Sequence, residues 1–303
     1  MTKPDSTRLL VFPEHDGLRL DQFLAAATSL SRRAARKLIS EGVVARNRQP
    51  TRVQGRLVEW GDAVVVLRPP ADLGVPAAPE LPTVPVMYDD PWLVAVDKPA
   101  GMLSQPGSKP EGGLALDQAV LLGAALSTGA KPYLRLVHRL DRLTSGVALF
   151  ARKPQAHKPL VRAWSEGVVE RRYVAVVEGR PELETDLIDA PIGRDPGHDW
   201  RFRVASAGRS ARTRVTITGD LDNDLTVVEC RLLTGRTHQV RVHLAHLGHP
   251  VLGDRLYGSR RAGLVDRPLL HAVSISLPHP DSGERLTIEA PLPDDITALT
   301  SPQ

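Results

Sequence analysis

The chain has 303 residues, room for one large domain and a small one, and its 39 Lys+Arg against 35 Asp+Glu leave a formal net charge of +4, compatible with a polyanionic partner. The only cysteine, Cys230, excludes an intrachain disulfide and a thiolate metal cluster; in the strand-like run LTVVECRLL it reads as a small core residue. The N-terminal run lacks the pattern of an export signal, and the longest apolar stretch, around Ala119–Ala130, falls short of the roughly 20 residues of a membrane helix, so the expectation is a cytoplasmic protein with no membrane partner.

Residues 1–70 read as a small α+β domain. Leu18, Leu20, Phe23 and Leu24 have helical spacing. Ser31 is an N-cap candidate for a second helix, Arg32–Glu41, and Gly42 its C-cap. Ala34, Ala35, Leu38 and Ile39 can face inward, which leaves Arg32, Arg33, Arg36 and Lys37 to the other face. Short strands are expected at Val43–Arg46 and Ala63–Leu67. A Pro-rich linker follows at 71–86, within a run that starts at Pro69 and Pro70 and continues through Pro76, Pro79, Pro82 and Pro85; such a run disfavours regular helix.

The larger domain, 87–296, alternates strand-like and helix-like segments. Strands are expected at Leu93–Val96, Tyr133–Val137, Val147–Ala151, Tyr173–Val177, Arg212–Ile217, Thr226–Leu233 and Leu270–Leu277. Helices are expected at Ala115–Leu126, Gln155–Glu166 and Thr237–Leu247. Turn-length connections between neighbouring strands favour a mixed, mostly antiparallel sheet with flanking helices, an α+β fold. The segment around Gly112, GGLALDQ, lacks the spacing of a phosphate-binding glycine loop. Gly193–Gly208, rich in Arg, Asp and Gly, reads as a loop facing RNA and closing over a substrate. The ends, Met1–Thr7 and Thr297–Gln303, read as frayed.

The most informative segment is LVHRLDRLTSGVALFA, Leu136–Ala151. Asp141 stands among His138, Arg139, Arg142, Thr144 and Ser145, on a turn that Gly146 closes ahead of a buried strand. One acid among cations beside a strand end is a way to display a single nucleophilic or basic oxygen, and neighbouring cations favour its ionised form.

The string HRLDRLTSG resembles the signature of the RluA-type RNA pseudouridine synthases. LVAVDKPAGMLSQPG (Leu93–Gly107), RRYVAVVEG (Arg171–Gly179) and LLTGRTHQVRVHLAHLGHPVLGD (Leu232–Asp254) are similar, in order, to three further segments of that family. The run departs from the family near Gln105, where members often carry a histidine, which bears on substrate choice. Residues 1–70 resemble the small RNA-binding module first named for ribosomal protein S4, in which a basic second helix lies on RNA phosphates.

The resemblance implies an isomerase that converts specific uridines to pseudouridine in structured RNA, with ribosomal RNA ahead of transfer RNA. It implies a curved sheet with the cleft across its middle and no cofactor or metal. Asp141 is then the nucleophile or base, and Tyr173 the active-site tyrosine that stacks on the base or takes part in the C5 proton step. Arg241 is then the cation paired with Asp141, with Arg236 the competing candidate for that pairing. Arg139 occupies the space of, or holds, a flipped nucleotide, while His138 supports the loop. Arg32, Arg33, Arg36, Lys37, Arg139, Arg236 and His238 are the candidate RNA contacts, and a monomer is the default.

One rival constellation competes. His238, His243, His246 and His249, with Asp254, crowd a short span as zinc ligands could, although Gly248 and Pro250 interrupt the helix before His249. A zinc-dependent hydrolase is the enzyme alternative, and a non-catalytic RNA-binding module the alternative of another class. The sequence names neither the RNA nor the uridine.

Overall fold

The computed structural model describes residues 6–68, 70–75, 81–107, 113–182 and 185–300. They fall into two compact units, Met1–Thr83 with Gly112–Leu134 and Val84–Glu111 with Arg135–Gln303.

In the first unit β1 (Thr7–Leu10), β2 (Val44–Arg46), β3 (Gln49–Pro50) and β4 (Ala63–Val66) form an antiparallel sheet in the order β1-β4-β2-β3. Two helices, α1 (Leu20–Ala27) and α2 (Arg32–Glu41), share one core with it: Phe23, Leu24, Ala35 and Ile39 pack with Leu9, Val44, Val64 and Val66. The ends of α2 are where its sequence puts them. Ser31 Oγ accepts a hydrogen bond from the Ala34 N–H at 3.2 Å, and Gly42 closes the helix at φ 76°.

The turn between β2 and β3 forms without a glycine. Asn47 and Arg48 both adopt positive φ, 49° and 65°, a conformation costly for residues with a side chain. Side-chain bonds offset that cost. Asn47 Nδ2 donates to Asp62 at 2.7 Å, its Oδ1 accepts from the N–H groups of Ala63 (3.0 Å) and Lys131 (2.8 Å), and Arg48 Nε donates to the Thr128 carbonyl at 2.7 Å. These bonds also explain why α4 (Leu116–Thr128), read from the sequence as part of the larger domain, groups with the first unit. In the Pro-rich stretch a single helical turn, α3 (Pro70–Leu73), forms where none was expected. Proline is tolerated at a first helical position, whose N–H needs no partner. Pro69, Pro76 and Pro79 lie outside the described residues.

The second unit is built on a ten-stranded sheet. Its elements are β5 (Val86–Asp89), β6 (Leu93–Lys98), β7 (Arg135–Leu136), β8 (Ser145–Ala151), α5 (Pro154–Ser165), β9 (Glu170–Glu178) and β10 (Leu187–Asp189), then the hairpin β11 (Ile192–Arg194) and β12 (Phe202–Val204), then β13 (Arg212–Leu221), β14 (Leu225–Leu232), α6 (Gln239–His246), β15 (Leu270–Pro278), β16 (Arg285–Glu289) and α7 (Asp294–Thr300). The sheet runs β10-β13-β14-β9-β15-β8-β6-β5, with β16 on β15 and β7 on β8. Among the described residues only the β15–β8 pair is parallel, so the mixed, mostly antiparallel α+β fold read from the sequence is the one present. Among the described residues no helix is long and apolar enough to cross a membrane.

Strand β8 is the spine. All seven residues of SGVALFA are buried, as a strand covered on both faces requires. The expected strand Tyr133–Val137 shrinks to β7, two residues on β8. The expected fraying at the C-terminal end is corrected for Thr297–Thr300. They lie in α7, which Ile296 anchors with no exposure and Asp295 ties to Arg267 through two hydrogen bonds of 2.6 and 2.8 Å; residues 301–303 are outside the described residues. Cys230 is fully buried in the core of β9, β14 and α6.

Gly146 marks the point where the catalytic-looking loop enters β8. It adopts φ 117°, and an added Cβ would stand 2.2 Å from the Ala272 carbonyl oxygen on the paired strand. A side chain here meets both backbone strain and a backbone collision. Gly146→Ala is therefore expected to destabilise the protein by at least about 2 kcal/mol, read as a fall in thermal midpoint; an unchanged midpoint would show that β15 yields freely.

Candidate active site

The loop that carries Asp141 is fastened from three directions. On one side the turn after β6 grips it. Lys98 has no exposed surface, and its Nζ donates to the carbonyls of Pro99 (2.9 Å), Met102 (2.8 Å) and Arg142 (3.1 Å). Gly101 N–H donates to the same Arg142 carbonyl at 2.8 Å. Burial pushes the Lys98 ammonium down to about 7, against the upward pull of Asp141. On the second side Ser104 Oγ donates to the Leu140 carbonyl (2.7 Å) and accepts from the Leu140 N–H (3.0 Å). From behind, Arg267 Nη1 reaches the Leu143 carbonyl at 3.2 Å.

His138 belongs to this scaffold. Its Nε2 accepts the Leu149 N–H at 3.2 Å, and its ring stacks on Trp164 at 4.3 Å. Burial pushes its pKa down to about 3, so the ring is neutral. A neutral, stacked acceptor fits a loop support.

Asp141 projects into a cleft of about 790 Å³ that Tyr173, Arg139, Arg236, His238 and Arg241 also line. The side chain of Asp141 is 27% exposed, and its Oδ2 lies 3.6 Å from Arg241 Nη1 and 4.0 Å from His238 Nε2. Arg241 comes from α6 and is almost wholly buried. Its bidentate partner is not Asp141 but Asp254: Nε donates to Oδ2 at 2.6 Å and Nη2 to Oδ1 at 2.8 Å. Asp254, with no exposed surface, also accepts the N–H groups of Leu256 and Tyr257 at 3.2 Å each. The guanidinium lies over the Tyr257 ring at 5.0 Å. Asp254 thus holds two nitrogens of Arg241, Nε and Nη2, and leaves Nη1 for Asp141.

Between Arg241 and Arg236, the geometry distinguishes the pairing. Arg236 turns away, with Nε on the Ser210 carbonyl at 2.9 Å and Nη1 on that of Gly235 at 3.1 Å. His238 adopts φ 57° ahead of α6, with Nδ1 2.8 Å from the Tyr257 hydroxyl. That hydroxyl accepts the Phe202 N–H at 3.0 Å. Burial lowers the His238 pKa and outweighs the pull of Asp141, so the ring is neutral. Tyr173, on β9 opposite Cys230, has its pKa pushed up to about 12 by burial, with the Asp141 charge adding to the rise. It is a neutral phenol across the whole physiological range.

The histidines of the rival metal reading do not converge. His243 is held by Thr213 Oγ1 (2.8 Å) and the Ala190 carbonyl (3.0 Å), and His249 Nδ1 faces the Glu178 carbonyl at 2.9 Å. Among the described residues no three His, Cys, Asp or Glu side chains form a metal-holding group. Asp254 and Tyr257 are the residues whose part sequence reasoning missed. The signal was a lone acid after a glycine in LGDRLYG, 13 residues beyond Arg241.

In the first unit a second cationic cluster is built around Asp21. This carboxylate has no exposed surface and accepts from Arg19 Nε (3.1 Å), Arg32 Nε (3.1 Å) and Arg36 Nε (2.7 Å). Burial pushes its pKa up, but the three guanidinium hydrogen bonds outweigh that and hold it well below the usual carboxylate range. Of the four candidate contacts on α2, Arg32 and Arg36 are therefore fixed in direction. Arg33 is exposed, and Lys37 lies 3.9 Å from Glu41.

Comparison with known proteins accords with this arrangement. Residues 92–246 match the model of the RNA pseudouridylate synthase family, and residues 18–64 that of the S4 domain. An RNA pseudouridine synthase of Mycobacterium tuberculosis is 38% identical over 287 residues, covering 92% of each chain. A protein of Nitrosomonas europaea named ribosomal large subunit pseudouridine synthase D is 35% identical, over 97% of this chain and 87% of its own. The fold is shared with human RNA pseudouridylate synthase domain containing 4, at a TM-score of 0.59 and 24% identity over 70% of this chain and 90% of that one. Family match, relatives and fold agree: the chain belongs to the RNA pseudouridine synthases and carries an S4 domain at its N-terminal end.

Proposed function

We propose that this enzyme isomerises a uridine everted from structured RNA, ribosomal RNA in the first place, with Asp141 as the acting oxygen. The observation that carries the reading is the placement of Asp141 Oδ2 at a cleft wall, 3.6 Å from a guanidinium whose other edge is locked by Asp254. The reaction breaks N1–C1′, turns the uracil, joins C5 to C1′ and moves the C5 proton, so its atoms and electrons balance within one nucleoside. No redox group or nucleotide is called for. Positive charge grows at C1′ as the bond breaks, as in glycoside hydrolysis, and an oriented carboxylate stabilises it or attacks it.

The other residues take supporting roles. Tyr173, held as a neutral phenol, suits stacking on the base and hydrogen-bond donation rather than service as a base at neutral pH. Arg139, exposed at the cleft, takes the place the base vacates; eversion costs a few kcal/mol that such contacts offset. Arg236 and His238 contact the RNA chain at the rim. The small domain at 1–70, joined through 71–86 to the catalytic domain at 87–296, holds RNA through Arg32, Arg33, Arg36 and Lys37, which adds affinity rather than sequence choice. The protein works as a cytoplasmic monomer. Ribosomal RNA takes precedence because a relative covering nearly the whole chain is named for the large ribosomal subunit.

Tritium release from transcripts labelled at uridine C5 tests the chemistry. Asp141→Asn is expected to abolish release while RNA affinity stays within about twofold; turnover near the native rate would refute the assignment. Asp254→Asn is expected to lose one of the two hydrogen bonds from Arg241, because an amide NH2 cannot accept from a guanidinium, and so to weaken the hold on Arg241, lowering kcat at least about tenfold with little change in KM. A melting curve checks that this variant folds. Replacing Arg32 and Arg36 by Ala is expected to weaken binding and to reduce the slope of log affinity against log salt by roughly 1 to 2, with an unchanged slope counting against the basic face.

A further inference from the structure

The hairpin of β11 and β12 is the part of the second unit that the reaction chemistry leaves unexplained. Its turn is closed by Asp195, whose carboxylate accepts from Arg201 Nε at 2.6 Å and from the Gly197 N–H at 3.1 Å. The Asp195 N–H donates to the Arg201 carbonyl at 2.9 Å, and the His198 N–H to the Asp195 carbonyl at 3.1 Å. Its feet are equally fixed. Ile192, Phe202 and Val204 pack with Val242 of α6 and with Tyr257, and the Phe202 N–H is bonded to the Tyr257 hydroxyl at 3.0 Å. The hairpin is therefore tied to the same helix and tyrosine that hold Arg241 and His238.

On this stiff turn, two residues before Phe202, stands Trp200. It lines the cleft that holds Asp141, yet its surface is 71% exposed. A large apolar ring at a cleft mouth, on a turn whose polar groups are already satisfied, presents a flat face to whatever enters. In a cleft that admits RNA, that is a nucleobase. Every base has a π-face, so an indole serves as a sequence-tolerant stacking platform.

We propose that Trp200 stacks on the nucleobase next to the uridine in the cleft, replacing the stacking partner that this neighbour loses when the uridine is everted. This rests on the reading that RNA enters the cleft with its target base turned out. The indole is thus a substrate-positioning residue that acts on binding, not on the reacting atoms.

The test uses the full chain with Trp200→Phe, Trp200→Leu and Trp200→Ala, each checked for an unchanged melting curve. With a C5-tritiated transcript of large-subunit ribosomal RNA, Leu and Ala are expected to raise KM on the order of tenfold while kcat holds, and Phe to stay within about threefold of the native chain. A second arm needs no turnover. Titration with a 12-residue oligouridylate is expected to quench the emission difference between the native chain and Trp200→Phe, which isolates this indole from Trp60, Trp92 and Trp164. Native KM in the Leu variant, or no saturable quenching, overturns the proposal. Quenching without tritium release by the native chain would sink the proposed function and leave the stacking in place; normal release with neither effect would do the reverse.

Discussion

Arg241 lies almost out of reach of water, and a buried guanidinium is tolerable only when its donors and its charge are matched. Asp254 does most of this matching. It engages two of the three guanidinium nitrogens, Nε and Nη2, and the N–H groups of Leu256 and Tyr257 fix its own position. Asp141 receives what is left: one N–H edge at 3.6 Å, longer than a hydrogen bond and short enough for a strong field. An aspartate clamped in a two-pronged salt bridge would be neutralised as a reactant. An aspartate facing a cation already engaged elsewhere keeps its orientation and most of its negative charge. The remaining features of the second unit can be understood as ways to hold that one oxygen opposite that one edge.

The opposite wall obeys the same logic with a different cation. Lys98 is buried beneath the Asp141 loop and has three carbonyl acceptors for its three protons, one of them on the residue after Asp141. A backbone carbonyl lends partial charge without neutralising, so the lysine organises the loop rather than pairing with the acid. Arg267 does the like from behind, joining the Leu143 carbonyl to Asp295 on the last helix. The C-terminal helix is thereby mechanically part of the site, although it contributes nothing to the cleft lining. In the first unit the pattern inverts: Asp21 is the buried ion and three exposed arginines are the matched partners. There the useful charge is positive and faces outward, as phosphate recognition requires.

Local signals were legible in the sequence and long-range ones were not. The caps of α2 and the buried run of β8 follow from residues within a few positions of one another, and the structure places them as read; the turn read as closing at Gly146 falls earlier, at Arg142 and Leu143, with Ser145 and Gly146 already in β8. The four ordered motifs named the family because each carries its own chemistry. Asp254 was visible as the last residue of the fourth motif and as a possible metal partner, not as the partner of Arg241. Nothing near it in sequence says that a guanidinium 13 positions earlier turns back onto it, and the crowd of histidines around it suggested zinc instead. Helix α4 lies within the run that matches the catalytic family yet clusters with the first unit, for a related reason. The bonds that hold it, from Arg48 to Thr128 and from Lys131 to Asn47, span about 80 residues. The short strands β10 to β12 carry too few residues for a period to show; pairing with β13 orders β10, and packing on Val242 and Tyr257 orders β11 and β12.

His238 shows how the two levels join. A histidine at φ 57° is in a sparsely populated backbone region, and such strain persists where the surroundings over-determine it. Here they do. The left-handed residue starts α6, which aims Arg241, and it turns its own ring between the Tyr257 hydroxyl and Asp141. The Tyr257 hydroxyl, which also accepts the Phe202 N–H, holds the ring through Nδ1 and leaves Nε2 facing Asp141. Burial keeps this imidazole neutral. Were it charged, a second full cation would stand 4.0 Å from the Asp141 carboxylate and offset its charge. A neutral ring leaves the carboxylate's charge uncancelled, so the backbone strain at His238 accompanies the placing of an uncharged polar group, rather than a cation, on the second side of Asp141.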